Sequence, residues 1–373
     1  MRSLVSVTAW TVVVLLGVLF ARRMLVLVAS MLPRRAGRAD DSRSIALLVA
    51  AHNEAARIPT LLDALARLEY PSDRVQVVLV SDGSTDNTAR LMQAWSGGPF
   101  RCEVVELAAS VGKGAALAAG LARAAPSELV VALDADCEPQ PDALRWLSGA
   151  FDDERVGGAS GYPRPSNADV STVSRYAALE RWAHHLVWLA GKDRLGMDPS
   201  LIGVLFAVRR RALDEVGGFP VGRLTEDVDL GSALVGAGWR LRWIGEAVAR
   251  EDVVTELPAF RTQRNRWTRG LLQGLSRVRS WEQVFVALGY LDRVVLFAAL
   301  LLAAAGTLSV WWPLGYLAAP VVTVVVAMHR GGAERPAAFL RAAMGMAVID
   351  VTSTLRSVVG ALMATPVRWG RRR

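Results

Sequence analysis

Two aspartates that could share a cation follow an apolar run of the chain. Leu129–Leu133 has the composition of a buried strand, and Asp134 and Asp136 come directly after it. Carboxylates this close repel each other unless a positive group lies between them. Mg2+ or Mn2+ would relieve that repulsion and keep coordination positions open for the oxygens of a nucleotide diphosphate. The alternative is a strand end with two solvated charges. The presence of further motifs in the same chain favours the metal site.

A second group of acids, Glu226, Asp227 and Asp229, precedes an apolar helical stretch. One acid is enough to cap a helix N-terminus, where negative charge is favourable. Three acids within four positions suggest instead that one of them is held near a substrate as a general base.

A basic segment that carries a tryptophan lies at Thr262–Gly270, before an apolar region. A helix in the membrane interface would account for Arg264 and Arg269. It accounts less well for Gln263 and for the adjacent Arg266–Trp267 pair, which therefore count as candidate site residues.

The segment Gly112–Gly114 reads Gly-Lys-Gly but matches no phosphate-binding fingerprint. A Walker loop would need glycine at Leu107 and serine or threonine at Gly114, and a dinucleotide fingerprint would need glycine at Leu117. A flexible loop before a helix is the simplest interpretation. Lys113 nevertheless stands at a helix start, where it could approach a phosphate.

The hydrophobic pattern predicts the framework that must position these residues. Apolar runs rich in valine and leucine alternate with helical segments, which indicates an α/β fold with a largely parallel sheet covered on both faces. Strands are predicted at 44–54, 75–84, 102–107 and 128–136, and helices at 55–68, 85–95 and 112–125. Ligands of such sheets bind beyond the carboxyl ends of the strands. Ala51–Glu54, Ser81–Ser84 and Asp134–Asp136 stand at such ends, so we expect them to converge on one crevice.

The excess of apolar residues, 52% of 373, lies at the two ends of the chain. Leu4–Ala21 carries no charge, and as a helix it would be about 27 Å long, close to the hydrocarbon thickness of a bilayer. An anchor is favoured over a signal peptide, because Arg22 and Arg23 follow where small residues would mark cleavage. Val294–Met328 is also uncharged, and Pro313 near its middle predicts a helical hairpin. Whether Ala337–Val367, which contains three charges, also crosses is left open.

Charge predicts the orientation and the partners of the chain. Arginines follow the first span (22, 23, 34, 35 and 38) and end the chain (371–373), and basic residues collect on the cytoplasmic side of membranes. Residues 40–280 are therefore expected in the cytosol, at the plasma membrane. The net charge of +8 suits anionic lipid and an acidic ligand, while no nucleic-acid-binding module is recognisable, so no nucleic acid partner is expected. Cys102 and Cys137 form no disulfide or metal-ligand pattern.

Five motifs, taken in order, resemble one family. They are AAHNEA (50–55), SDGSTDNT (81–88), DAD (134–136), TED (225–227) and QRNRW (263–267). The series resembles the membrane-bound glycosyltransferases of family 2, the relatives of cellulose, hyaluronan and poly-N-acetylglucosamine synthases, which have a GT-A fold. The resemblance covers about residues 45 to 280, and the flanking membrane segments fit it.

The resemblance implies a role for each motif. Asp82, together with Glu54, would bind the nucleotide-sugar donor, Asp82 through the uridine. Lys113, which lies outside the five motifs, is a further candidate for donor binding because of its place at a helix start. Asp134 and Asp136 would hold the divalent metal on the diphosphate.

At the acceptor side, the resemblance implies that Asp227, with Glu226 beside it, takes the proton from the attacking hydroxyl. Gln263, Arg266 and Trp267 would line the place where acceptor and diphosphate meet. An arginine offers a bidentate contact to an anion, and an indole offers an apolar face to a sugar ring.

The expected organisation is an α/β GT-A catalytic domain with membrane helices on both sides. The segments are an anchor at 1–32, a linker at 33–43, the GT-A domain at 44–260, an interfacial segment with QRNRW at 261–290 and membrane or interfacial helices at 291–373.

The expected function is an inverting, metal-dependent transfer from a UDP-sugar to a lipid-linked or glycan acceptor. A processive polysaccharide synthase, with partner subunits in the membrane to complete a channel, is the first alternative. A non-catalytic membrane protein that binds nucleotide sugars is the second alternative. A nucleotidyltransferase or kinase is a third alternative, and the failed glycine fingerprints disfavour it.

Overall fold

The computed structural model describes residues 2–33, 39–95, 98–275 and 295–363. The arginines at 34, 35, 38 and 371–373, on which part of the orientation argument depends, lie outside these ranges, as do residues 276–290 of the expected interfacial segment.

An eight-stranded sheet forms the centre of the molecule, with the order β3-β2-β1-β4-β7-β6-β8-β5. Its strands are β1 (Ile45–Ala51), β2 (Val75–Asp82), β3 (Arg101–Leu107), β4 (Leu129–Asp134), β5 (Cys137–Pro139), β6 (Val156–Pro165), β7 (Leu205–Arg209) and β8 (Arg240–Glu251). The first four strands are parallel, as the alternation of strands and helices predicts. β7 runs antiparallel to β4 and β6, and β5 runs antiparallel to β8, so the sheet is mixed beyond β4.

Both faces of the sheet are buried, which explains why its strands are continuous apolar runs rather than alternating ones. Ile45, Leu47 and Val49 of β1 pack into one core, while Ala46 and Leu48 pack into the other. The helices that cover the sheet are α2 (Ile58–Ala66), α3 (Thr88–Ala94), α4 (Lys113–Leu121), α5 (Ala143–Gly149), α6 (Thr172–Trp182), α7 (Ala190–Arg194), α8 (Arg210–Glu215) and α9 (Glu226–Gly236). A π-helical segment, Ala183–Leu189, joins α6 to α7.

The longer helices flank this domain: α1 (Arg2–Met31), α10 (Leu257–Leu275), α11 (Val295–Ala304), α12 (Trp311–Gly331) and α13 (Pro336–Leu362). Within the described ranges, α1, α12 and α13 are long and apolar enough to cross a membrane. The helical hairpin expected in 294–328 is present as α11 and α12, but Pro313 does not break it. α11 ends before Gly306, which has a φ of +69°, and Pro313 lies in the first turn of α12, where a missing N–H is harmless.

α1 does not end at the arginine pair that follows its uncharged stretch. It continues to Met31, and this last part packs on the domain: a Cβ on Gly191 of α7 would collide with the carbonyl oxygen of Val26. Arg23 donates to the hydroxyl of Tyr316 at 2.9 Å, which ties α1 to α12.

Candidate active site

The sheet brings the first three motifs to one edge. Since β1, β2 and β4 are parallel neighbours, with Ala50 opposite Asp134 and Ala51 opposite Ser81, their carboxyl ends are level. The predicted convergence of the strand ends is therefore confirmed.

Asp82 ends β2 and is buried, with 4% of its surface exposed. Its carboxylate accepts hydrogen bonds from the Ser110 hydroxyl (2.9 Å) and from the backbone N–H groups of Val111 (2.7 Å) and Gly112 (3.0 Å). The turn after it needs glycine, because Gly83 has a φ of +59° and a Cβ there would collide with the backbone of Ser110. Asp82 thus fixes the loop that presents Lys113.

The first two motif loops interlock through polar contacts. His52 Nδ1 bonds the carbonyl oxygen of Asp82 at 2.6 Å. Asn53, in the left-handed region at a φ of +57°, accepts the backbone N–H of Thr85 at 2.8 Å on its side-chain oxygen. The backbone N–H of Glu54 donates to the Thr88 hydroxyl at 2.8 Å. These contacts hold Glu54 beside the Asp82 loop.

Lys113 lies among the acids of two distant motifs. Its ammonium is 2.5 Å from Asp134 Oδ1 and 3.2 Å from Glu226 Oε1, and it donates to the carbonyl oxygen of Gly203 at 2.9 Å. Although burial alone would lower the pKa of Lys113, the carboxylates of Asp134, Glu226 and Asp227 raise it above its ordinary value. The positive group beside Asp134 in this structure is therefore a charged lysine, which joins the strand-end aspartates to the acids at the start of α9.

Asp227 is held at the same place by two backbone donors. Its Oδ2 accepts the N–H of Gly203 at 2.5 Å, and its Oδ1 accepts the N–H of Val228 at 2.9 Å. Burial, and next the charge of Glu226, raise the pKa of Asp227 to about 6, against the opposing effect of Lys113. A carboxyl whose pKa lies near neutrality suits proton transfer at physiological pH.

Gly203 is a site residue that the sequence did not reveal. A Cβ at this position would lie 2.9 Å from Asp227 Oδ2 and 3.0 Å from Lys113 Nζ, so any side chain would push these two groups away from their present positions. Gly114 has a similar role at the start of α4, where a Cβ would collide with the carbonyl oxygen of Pro220, six residues before Glu226.

Asp136 lies in the turn between Asp134, the last residue of β4, and Cys137, the first residue of β5. Cys137 donates its thiol weakly to Asp136 Oδ1 at 3.4 Å, and burial, followed by the Asp136 and Asp134 charges, raises the pKa of Cys137 well above its ordinary value. Arg57 of the first motif loop pairs with Asp252 at 2.7 Å. Its pKa is raised first by the hydrogen bond to Asp252 and also by the charges of Asp136 and Glu54, against the effect of burial.

The donor set for a metal is small. In the parts of the chain that the structure describes, no group of three or more His, Cys, Asp or Glu side chains is arranged to hold a metal ion. Mg2+ is commonly held by one or two carboxylates and completes its shell with water and substrate phosphates. Asp134 and Asp136 fit that pattern, with a diphosphate supplying the remaining oxygens.

The QRNRW motif lies on α10, which packs against the N-terminus of α9: a Cβ on Gly270 would collide with the side chain of Thr225, the residue before Glu226. Gln263 and Arg266 are half-buried on this helix. The Trp267 ring has the guanidinium carbons of Arg264 and Arg181 within 5.4 and 5.8 Å of its centroid.

A fold with an α/β sheet of this order, carrying motif acids along one edge, is that of a nucleotide-diphosphosugar transferase. The sequence model described as "Glycosyltransferase like family 2" matches residues 42–270, and the chain belongs to this family. It is a glycosyltransferase with a GT-A fold, as the five motifs predict.

Characterised relatives make different kinds of product. The chain is 30% identical over 229 residues to a beta-monoglucosyldiacylglycerol synthase of Nostoc sp., which covers 61% of this chain and 48% of that protein. It is 28% identical over 238 residues to the poly-beta-1,6-N-acetyl-D-glucosamine synthase of Staphylococcus aureus, which covers 62% and 55%. The matched part thus spans about half the length of these relatives.

One solved structure is similar over nearly the whole chain. It is a mannosyltransferase from Pyrobaculum calidifontis in complex with GDP-mannose and Mn2+, with a TM-score of 0.62, 20% identity, and coverage of 98% of this chain and 100% of that one. This likeness shows the fold.

Proposed function

We propose that this protein is an inverting, metal-dependent glycosyltransferase that moves a sugar from a nucleotide-sugar, in the first instance a UDP-sugar, to a hydroxyl of a lipid-linked or glycan acceptor. The observation that carries the proposal is the cluster in which Lys113 pairs with Asp134 and Glu226 close to Asp227. It places a carboxyl with a pKa of about 6 beside the strand end that would hold the donor diphosphate.

The donor side is formed by the strand ends. Glu54, Asp82 and Lys113 would hold the nucleotide, Asp82 acting both on the uridine and on the loop before Lys113. Asp136 and the second oxygen of Asp134 would hold Mg2+ or Mn2+, because Asp134 Oδ1 is already paired with Lys113. The bound ion would neutralise charge on the departing diphosphate.

The acceptor side is formed by α9 and α10. Asp227 would accept the proton of the attacking hydroxyl, and Glu226 would keep the proton affinity of Asp227 high. A single in-line displacement inverts the anomeric centre and requires one base and no covalent nucleophile. Arg266 would bind the departing diphosphate, and Gln263 and Trp267 would orient the acceptor.

The membrane helices support an acceptor drawn from the bilayer. We place the catalytic domain on the cytoplasmic side of the plasma membrane, with α1, α12 and α13 as spans. Transfer to a lipid is favoured over a long secreted polymer, because the three candidate spans found in the described part of the chain are few for a transmembrane sugar channel. A processive synthase would need partner subunits. Membership of a glycosyltransferase family supports turnover rather than non-catalytic binding of a nucleotide sugar.

The test uses the full chain in lipid nanodiscs with radiolabelled UDP-glucose, UDP-N-acetylglucosamine and GDP-mannose, and with total bacterial lipid as acceptor. We expect label in the lipid fraction with one of these donors, a product of inverted anomeric configuration by NMR, and loss of transfer in Asp227→Asn. Asp214→Asn is the control, since Asp214 is exposed on α8 and pairs with Arg210. Equal transfer by Asp227→Asn and the parent protein would refute the base assignment.

A further inference from the structure

Trp267 of the QRNRW motif lies between its own helix α10 and α6, and the membrane helix α13 contacts both of these helices. Two guanidinium groups approach its ring, that of Arg264 from its own helix α10 and that of Arg181 from α6. Two cations on one indole would repel each other unless each is neutralised by a carboxylate.

Arg264 is neutralised from two sides. Its Nε is 2.8 Å from Asp350 Oδ1 of α13, and its Nη2 contacts Glu180 of α6. Tyr176 donates its hydroxyl to the other oxygen of Asp350 at 3.1 Å, and the ring of Phe260 lies 4.8 Å from the Arg264 guanidinium. The side chain of Arg264 is thus held by two other helices, α13 and α6, and by Phe260 of its own helix α10.

Arg181 is neutralised by the sheet. Its Nε is 2.5 Å from Glu251 Oε1, and Glu251 is 3% exposed at the end of β8. Glu251 pairs in register with Cys137, the residue that follows Asp136. Trp267 is therefore connected on one side to β5, the short strand that begins directly after Asp136, and on the other side to α13.

Asp350 is an unexpected residue for its position. It is 1% exposed within a helix that is long and apolar enough to cross a membrane. Ionisable groups in such segments are costly unless they are paired, and breaking a buried pair costs far more than replacing both partners. Apolar residues could pack α13 against α10 without that cost, so the pair is a candidate for fixing a geometry rather than for adding stability.

We propose that Asp350 is a positioning residue of the transferase: through Arg264 it fixes the Trp267 indole at the acceptor side, so that α13 belongs to the active site. This inference rests on the proposed function for the role of Trp267, but not for the packing role of Asp350. It assigns to a membrane helix a contribution that the five motifs do not contain.

The experiment compares Asp350→Asn with the parent protein, in nanodiscs, using the nucleotide sugar that the parent turns over. Arg356→Gln is the matched control, because Arg356 is an exposed charge on the same helix. Transfer to lipid and hydrolysis to free sugar are both measured. Misplacement of an acceptor-orienting group costs transfer about 10- to 100-fold while water can still attack the donor. We expect the hydrolysis-to-transfer ratio to rise by a similar factor in Asp350→Asn and to stay constant in Arg356→Gln.

A purely structural role would lower transfer and hydrolysis together, and that result, or an unchanged ratio, would overturn the proposal. If Asp350→Asn does not fold, Arg264→Lys keeps the charge but loses the fork that spans Asp350 and Glu180, and it is expected to raise the same ratio.

Amide hydrogen exchange separates this inference from the proposed function. Exchange over 257–270 should quicken in Asp350→Asn and not in Arg356→Gln, even if none of the donors tested is turned over. Unchanged exchange would refute the positioning role, whereas an inactive parent protein would refute only the choice of function.

Discussion

Replacing Lys113 by methionine tests the electrostatic centre of the site. Methionine keeps the length of the side chain but removes the ammonium that lies 3.2 Å from Glu226 and 2.5 Å from Asp134. At an effective dielectric constant of about 20, the attraction at 3.2 Å is worth about 5 kcal/mol before the cost of desolvating the two charges. The Lys113 side chain is 24% exposed. The replacement should therefore lower the free energy of unfolding by about 3 kcal/mol, near the lower end of the range for broken buried pairs.

The same replacement should also shift the pH dependence of transfer. Asp227 has a pKa of about 6, and Lys113 opposes the burial and the Glu226 charge that raise it. Without the ammonium, the pKa of Asp227 rises further, by about one unit for the loss of a nearby opposite charge. Since the base must be deprotonated, the acid limb of kcat/KM moves to higher pH, and activity below pH 6 falls more than activity at pH 8.

The assay is a kcat/KM profile from pH 5 to pH 9 with a thermal melt at each pH. The control is Arg123→Met, which removes an exposed cation just after α4 that lies 3.7 Å from Glu103. An acid limb at the same pH in Lys113→Met and the parent protein, with transfer otherwise retained, would refute the electrostatic coupling of Lys113 to the base.

Other expected outcomes follow from single contacts. In the parent protein, transfer should fall about tenfold per pH unit below pH 6 as Asp227 takes up a proton, and a flat profile down to pH 5 would contradict its role as base. Because the pKa of Asp227 in the folded chain is raised, its contribution to stability is present below pH 4 and is lost as the pH rises through 6. The replacement Asp227→Asn should abolish this pH dependence of the melting temperature. Gly203→Ala should lower the free energy of unfolding by about 1–3 kcal/mol through overpacking. Its loss of transfer should exceed what this destabilisation explains, since the added methyl group would meet Asp227 and Lys113. Chelation with EDTA should stop transfer, and Mn2+ or Mg2+ should restore it; full activity in EDTA would exclude the proposed metal site.

Local patterns predicted the first half of the sheet well. The four strands and three helices expected between 44 and 136 are all present, because valine-rich strands and amphipathic helices are set by residues close in sequence. The mixed second half was not specified, since the antiparallel placement of β7 between β4 and β6 depends on partners far along the chain.

Contacts between distant segments also explain which site residues the sequence did not reveal. The sequence did not place Lys113 beside Asp134, because nothing local indicates that α4 and α9 meet at Gly203. The metal at Asp134 and Asp136 stays a prediction. The sequence pattern assigned Arg264 to a helix in the membrane interface, whereas in the structure Arg264 pairs with Asp350. Asp350 lies in a helix whose role the pattern left open. The roles of these residues in catalysis stay predictions.

The close approach of Val26 to Gly191 has a practical consequence for preparing a shortened form of the enzyme. Removing residues up to Ala21 would take away the uncharged stretch while leaving the part of α1 that lies on α7. Cutting after Met31 would remove that cover and expose the apolar side of α7 and of the π-helical segment Ala183–Leu189. Since α12 and α13 remain, a shortened enzyme would still be kept in detergent or lipid, and it should stay monodisperse there only when it begins upstream of Met24.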